Sequence, residues 1–314
     1  VIGILLAVTA VFFIACYIGF YMLVVSPPRF DLNKPNALMG PDFPAMVDRL
    51  HADLKKLSQY PSEPVTVVTD DGLKLFGTFY PNPDGAKITI VCLHGYSSSG
   101  RGDFGSRALG YLQSGYNVLL ANHRHHAKSE GKYIGFGVLD RKDVRLWLEA
   151  ANARIPNGEI FISGVSMGGA TAMQASCLPM PENVKGIIED CGYTSVKEEF
   201  EFQCRRVVRF VPRLTLKVID FYMRKIAGYG IDEVNSVDCV KNANIPIMFI
   251  HGDSDNFVPT EMVYRVYEAC RSEKELYVVP GAAHAMAEFK NPAEYYDRVN
   301  AFIYKYSDLL KKTK

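Results

Sequence analysis

Short blocks of almost purely apolar residues constrain this chain more than any other feature: Ile88–Leu93, Val118–Ala121, Ile160–Ile162, Gly186–Ile188, Ile247–Ile250 and Leu276–Val279. Strands read as continuous apolar runs when helices cover both faces of a parallel sheet. Helical patterns lie between most of the blocks, such as Val144, Leu146, Trp147, Leu148 and Ala151. Ahead of them, Val65–Val68 and Leu73–Tyr80 flank Asp70-Asp71-Gly72, whose Asp-Gly pair marks a hairpin turn. A last stripe of Tyr295, Val299, Phe302, Ile303 and Tyr306 reads as a closing helix. The predicted fold class is α/β, an opening antiparallel hairpin followed by a mostly parallel central sheet with helices on both faces.

One stretch breaks the alternation. Between Cys191 and Pro246 lie about fifty residues with helical patterning and no clear strand, and such an insertion at a strand's carboxyl end projects over the ligand crevice. It is read as a lid over residues 193–243. Within it, seven basic residues (Arg205, Arg206, Arg209, Arg213, Lys217, Arg224, Lys225) stand against one acid, Asp220. Val207, Val208, Phe210, Val211, Ile219, Phe221 and Tyr222 are interleaved, a composition suited to anionic headgroups.

Val1 to Val25 carries no charged residue. As a helix it would reach roughly 37 Å, enough to cross a hydrocarbon core of about 30 Å. Tyr17 and Tyr21 lie toward one end, where aromatic rings meet the lipid–water boundary. Pro27 and Pro28 stop the helix, and Arg29 is the first charge. The run exceeds the roughly 7–15-residue core of a cleaved signal peptide. A lipid-bearing Cys16 would need a polar tether after it, where Ile18-Gly19-Phe20 stands instead. The expectation is a single-pass membrane protein with a transmembrane anchor over 1–25. A juxtamembrane segment over 26–64 would follow, with an amphipathic helix on Met46, Leu50, Leu54 and Leu57, and then a domain over 65–314. Arg29 and Lys34 mark one flank only, so orientation stays open.

Composition bears on partners and compartment. With 35 Lys+Arg against 34 Asp+Glu in 314 residues the formal charge is +1, which argues against a nucleic-acid binder. The seven cysteines show no CxxC and no metal-like spacing with His. Cys92, Cys177 and Cys191 sit in settings that suggest buried thiols, which leans toward a reducing, cytoplasmic side.

The chemistry sits at strand ends. Gly164-Val165-Ser166-Met167-Gly168-Gly169 follows the block Ile160–Ile162 and opens the small-residue segment Ala170-Thr171-Ala172. A sharp strand-to-helix turn of this kind exposes the serine, and the flanking glycines leave room for it. A serine hydroxyl needs a base, and the base needs an orienting acid. His284, in the small-residue loop after Leu276–Val279, is the candidate base. For the acid, Asp255 comes first, Asp253 second and Asp190 third. An oxyanion hole needs two convergent N–H groups, for which Met167 and Tyr96 are the candidates. His94 is read as shaping the turn that carries Tyr96.

Together the hairpin, His94-Gly95, Gly164-Val165-Ser166-Met167-Gly168, His251-Gly252-Asp253-Ser254-Asp255 with Val258-Pro259, and His284 resemble the α/β-hydrolase superfamily. The likeness is closest to membrane-anchored bacterial hydrolases of the serine aminopeptidase-like and Bem-type group, and covers residues 65 to about 308. The resemblance implies that the acid is the second Asp of the His-Gly-x-x-Asp segment, Asp255, and that the second oxyanion donor directly follows His-Gly, at Tyr96. It also implies a lid in the connection after the sixth strand. One segment departs: where the family has Asp-x-Arg-Gly-x-Gly-x-Ser, this chain reads Asn122-His123-Arg124-His125-His126-Ala127-Lys128-Ser129. Two glycines are replaced, so that loop's backbone must differ or be strained. His123, His125 and His126 are read as a polar loop beside the pocket rather than as a metal site, since no flanking Cys or carboxylate completes a cluster.

The resulting expectation is a serine hydrolase that cleaves carboxylic esters, lipid-like acyl esters included, through Ser166, Asp255 and His284. No cofactor and no metal are expected; the partners are a small-molecule ester and, through the anchor, membrane lipid. A peptidase on short or acylated peptides, or a non-catalytic binder on the same scaffold, are the alternatives.

Overall fold

Eight strands form one sheet in the order β1-β2-β4-β3-β5-β6-β7-β8. The structure, a computed structural model, describes residues 1–27, 40–208 and 212–312. The calls on Pro28, Arg29, Lys34, Arg209, Phe210 and Val211 lie outside those residues.

β1 (Glu63–Val68) and β2 (Lys74–Tyr80) pair antiparallel across the Asp-Gly turn, where Gly72 takes φ +84°. A side chain there would be strained, which is why glycine ends the pair. β2 also pairs antiparallel with β4 (Asn117–Ala121). From β4 onward the sheet is parallel, through β3 (Ile88–Leu93), β5 (Glu159–Val165), β6 (Val184–Asp190), β7 (Ile247–Gly252) and β8 (Lys274–Val279). Every residue of β3, β4, β5 and β7 is buried, the pattern that the apolar blocks encode.

Helices cover both faces. α3 (Gly100–Gln113) and α11 (Pro292–Tyr306) lie over one, where Phe104, Tyr111, Tyr295 and Phe302 join Ile90 and Phe161 in a core. α4 (Asp140–Arg154), α5 (Met167–Ala175) and α9 (Glu261–Ala269) lie over the other, packing Trp147, Met173 and Val263 on Val91, Ile162 and Phe249. Two short helices, α10 (Ala287–Lys290) and α12 (Asp308–Lys311), follow β8 and α11 respectively.

Three elements stand outside this sandwich. α1 (Ile2–Phe20) continues through a widened last turn, Tyr21–Val25, closed by Ser26 N–H donating to Tyr21 O at 2.8 Å. Ile2–Val25 is long and apolar enough to cross a membrane. α2 (Phe43–Leu57) is the predicted amphipathic helix and packs on α3, where the absence of a side chain at Gly105 admits Leu50 and Leu54. The segment between β6 and β7 holds α6 (Val196–Val207), α7 (Pro212–Tyr222) with a further turn Met223–Ala227, and α8 (Ser236–Lys241). Ser195 and Asn235 pair across its base. Its charge is less free than the count of bases suggests, because Arg224 pairs with Asp220, Asp232 and Glu233.

All seven cysteines are free thiols. Cys177, just past α5, and Cys239 in α8 bring their Sγ atoms to 2.6 Å, joining the insertion to the helix that follows Ser166.

Candidate functional site

The carboxyl ends of β5, β7 and β8 converge on one point. Ser166 stands between β5 and α5 at φ 54°, ψ −118°, a conformation that an ordinary side chain pays for. The glycines around it are required by space. A Cβ on Gly164 would run into the backbone of Gly168, and one on Gly168 into Leu93 O. Ser166 N–H donates to Asp190 O at 2.8 Å, which pins the turn to the end of β6.

His284 is buried and reaches Ser166 Oγ with Nε2 at 2.9 Å and Asp255 Oδ2 with Nδ1 at 2.7 Å. The loops carrying these two residues are stitched together. Asp253 N–H donates to Val279 O, Ser254 N–H to Ala282 O, and Gly281 N–H to Asp253 Oδ1. Asp253 is therefore an exposed turn residue directed away from the imidazole. Asp190 is buried against Arg107 at 2.8 Å, and the same guanidinium holds Ala285 O at 3.1 Å, so it steadies the histidine loop from behind.

Asp255 is fixed on both oxygens. Phe257 and Val258 N–H groups donate to Oδ1 at 2.8 and 2.9 Å, while His251 Nε2 lies 3.3 Å from Oδ2. Burial alone would raise the pKa of this carboxyl; the adjacent His284 and the His251 contact outweigh it and hold it below the usual carboxylate range. For His284 the balance runs the other way. Burial disfavours the imidazolium, but the Asp255 carboxylate overcomes that and moves the imidazole above its ordinary value.

Tyr96 and Met167 flank the serine. Gly95, just before Tyr96, lies so near that a Cβ there would come within 3.3 Å of Ser166 Cβ. Neither the Tyr96 nor the Met167 N–H has an acceptor among the described residues, so both are available to a bound oxygen. His94 holds the turn, its Nδ1 2.7 Å from Gly95 O and its Nε2 accepting from His123 N–H at 3.1 Å.

In the histidine-rich loop, the ring nitrogens turn mostly to backbone. His123 meets His94 O; His125 meets Gly131 O and Val25 O; His126 meets Arg124 O and accepts from Ser97 N–H. The two positions that replace the glycines, His125 and Ala127, keep positive φ values of 63° and 51°. The loop therefore retains the backbone that glycine suits, and stores strain.

Several neighbours of the site carry no sequence signal. Cys191 follows β6 with its Sγ within 4.8 Å of the ligand atoms of Asp255 and His284, a trio that resembles a metal-binding set. Its chemistry does not fit one, because burial pushes the thiol pKa up to about 12, while Asp255 and His284 are committed to each other. Phe257 packs its ring 4.9 Å from that of His284. Glu199 in α6 is buried, its carboxyl pushed up by that burial to about 7, and its Oε1 accepts from Gln203.

A cavity of about 670 Å³ opens in front of Ser166. Val25, Pro27, Phe43, Met46, Leu50 and Phe257 supply its apolar wall. Asp103 is the one acid among the described lining residues, and its oxygens accept from Gly95 N–H and Ser98 Oγ.

Residues 84–237 match the family described as serine aminopeptidase, S33. The chain is 29% identical to the uncharacterized protein YqkD of Bacillus subtilis over 229 residues, which is 72% of this chain and 74% of that one. It is 24% identical over 192 residues to the lysophosphatidylserine lipase ABHD12 of Danio rerio, covering 60% of this chain and 48% of the lipase. Among solved structures, the Pyrococcus furiosus esterase Pf2001 is similar with a TM-score of 0.66 at 25% identity, over 80% of this chain and 95% of the esterase.

Proposed function

The chain belongs to the α/β-hydrolase superfamily, and from that premise we propose that it is a membrane-anchored serine hydrolase that cleaves carboxylic esters. The observation that carries this reading is the relay Ser166 Oγ–His284 Nε2, His284 Nδ1–Asp255 Oδ2, at 2.9 and 2.7 Å. His284 takes the Ser166 proton as Oγ attacks the ester carbonyl, and Asp255 steadies the imidazolium that forms. The Met167 and Tyr96 N–H groups receive the oxyanion. His284 then protonates the departing alcohol. Water, deprotonated by the same imidazole, releases the acid from the acyl-enzyme.

Residues 1–25 form the anchor in this account, 26–64 the juxtamembrane segment, and 65–314 the hydrolase domain, with 193–243 as its lid. Both an esterase and a lysophospholipid lipase stand among the similar proteins, which supports an acyl ester as substrate. The matching serine aminopeptidase family keeps a peptidase reading in view. The cavity favours the ester, because one side of it is apolar and Asp103 is already engaged, leaving no acid among the described lining residues to hold a free α-amino group. A panel of p-nitrophenyl acyl esters beside aminoacyl-anilides tests the choice. Ester turnover that is lost in Ser166→Ala is expected; anilide turnover without ester turnover would show the peptidase instead.

A further inference from the structure

The last carbonyls of a helix lack partners within it and ordinarily turn to water. In α1 they turn to the domain. Leu23 O accepts from the Tyr96 hydroxyl at 2.9 Å, Val24 O from Ile134 N–H at 2.9 Å, and Val25 O pairs with His125 Nε2 at 2.8 Å. Three successive carbonyls are thus held by two connections, the one between β3 and α3 that carries Tyr96 and the one between β4 and α4 that carries His125 and Ile134. Tyr96, the proposed second oxyanion donor, is also the residue whose hydroxyl reaches the anchor. The replaced glycine at position 125 gains a purpose as well, since only a side chain there meets Val25 O.

Burial along α1 changes midway. Ile2 and Leu6 are 76% and 66% exposed, whereas Phe20 and Val24 are fully covered. The cover is α7: Tyr222 packs its ring 5.3 Å from Tyr17 and 6.1 Å from Phe20, and Gly19 faces Ile219. Beside this contact, the insertion leaves Leu214, Phe221 and Ile226 exposed. A 24-residue helix rises about 36 Å against a hydrocarbon core of about 30 Å, so its covered end lies at the lipid–water boundary when its outer part is in lipid. Exposed apolar side chains near Arg213, Lys217 and Lys225 suit that level. Val25, Ser26 and Pro27, at and just past that end of the helix, line the cavity, which brings the cavity to the same level.

We propose that the substrate is a long-chain acyl ester resident in the bilayer, and that its chain enters past Val25 and Pro27. The anchor's last turn then forms part of the acyl-binding wall. This rests on the serine-hydrolase reading above and adds to it where the substrate comes from and what shapes the pocket.

The test uses the full chain in phosphatidylcholine vesicles. 4-Methylumbelliferyl palmitate is supplied within the bilayer and 4-methylumbelliferyl butyrate from water. Val25→Trp narrows the wall, and is expected to lower the palmitate-to-butyrate rate ratio about tenfold. The pair Leu214→Gln and Phe221→Gln, outside the cavity, is expected to lower palmitate turnover severalfold and leave butyrate turnover unchanged. Fluorophosphonate labelling of Ser166 in each variant reports an assembled site. Intact labelling with an unchanged ratio in both variants overturns the inference while the serine chemistry stands. A wild-type protein that neither labels nor turns over either ester overturns the serine reading itself.

Discussion

Ser166, His125 and Ala127 hold positive φ, but they do so for different reasons. At Ser166 the strained turn presents Oγ to His284, so relief of strain would cost the presentation. Ala127 is exposed and contributes no side-chain hydrogen bond, so Ala127→Gly should stabilise the protein by roughly 1 kcal/mol, read as a rise in melting temperature. His125→Gly removes the same strain together with both ring contacts, and should give a net loss of roughly 1 kcal/mol. Asp255 sets the pH response. The proposed base works as neutral imidazole, so activity rises with pH through the His284 pKa, which the carboxylate holds up. Asp255→Asn should therefore move the ascending limb of the kcat/KM profile to lower pH, while kcat falls by about 10³–10⁴. A limb left in place would contradict this electrostatic account.

Among the elements, strands were the most legible. β3 runs Ile88–Leu93, the same bounds as its apolar block, while β5 and β6 extend beyond theirs because Glu159, Lys185 and Asp190 interrupt the apolar run. That Ser166, Asp255 and His284 would meet could be read because each follows a strand end. Asp255 stands ahead of Asp253 because it lies further into the loop, and the resemblance points to the same residue. Nothing local predicted that His125 would reach Val25, a hundred residues away, or that Cys191 and Glu199 would lie near the relay. Such contacts come from how elements pack, and a pattern read along the chain carries no record of them. The packing of α2 on α3 gives the test at this scale. A Cβ at Gly105 would meet Leu50 Cδ1 at 2.6 Å and Leu54 Cδ2 at 2.8 Å, so Gly105→Val should destabilise by about 1–3 kcal/mol in a denaturant titration. Because Phe43, Met46 and Leu50 also line the cavity, the same change should alter acyl-chain preference.

Across the whole molecule, a cluster of buried histidines ties stability to pH. His94, His123 and His126 pack with ring centroids 4.7, 4.8 and 6.3 Å apart. Burial lowers the pKa of all three, and that of His126 falls to about 4. An unfolded chain protonates these rings below about 6.5, whereas the folded one resists. The three rings accordingly cost the fold stability as pH falls from about 6.5 toward 4, against the opposite pull of the buried Glu199 carboxyl. The change in melting temperature across that window should therefore be more favourable to low pH in His126→Asn than in the wild type. The same profile in His126→Asn as in the wild type would contradict the burial of a neutral ring there. Above this stands the proposed chemistry, and covalent labelling addresses it most directly. The full-length protein is treated with a fluorophosphonate probe and the adduct located by peptide mass spectrometry. The account predicts one adduct, on Ser166, absent from Ser166→Ala and formed far more slowly in His284→Ala. Equal labelling of wild type and Ser166→Ala, or an adduct on another residue, would contradict it.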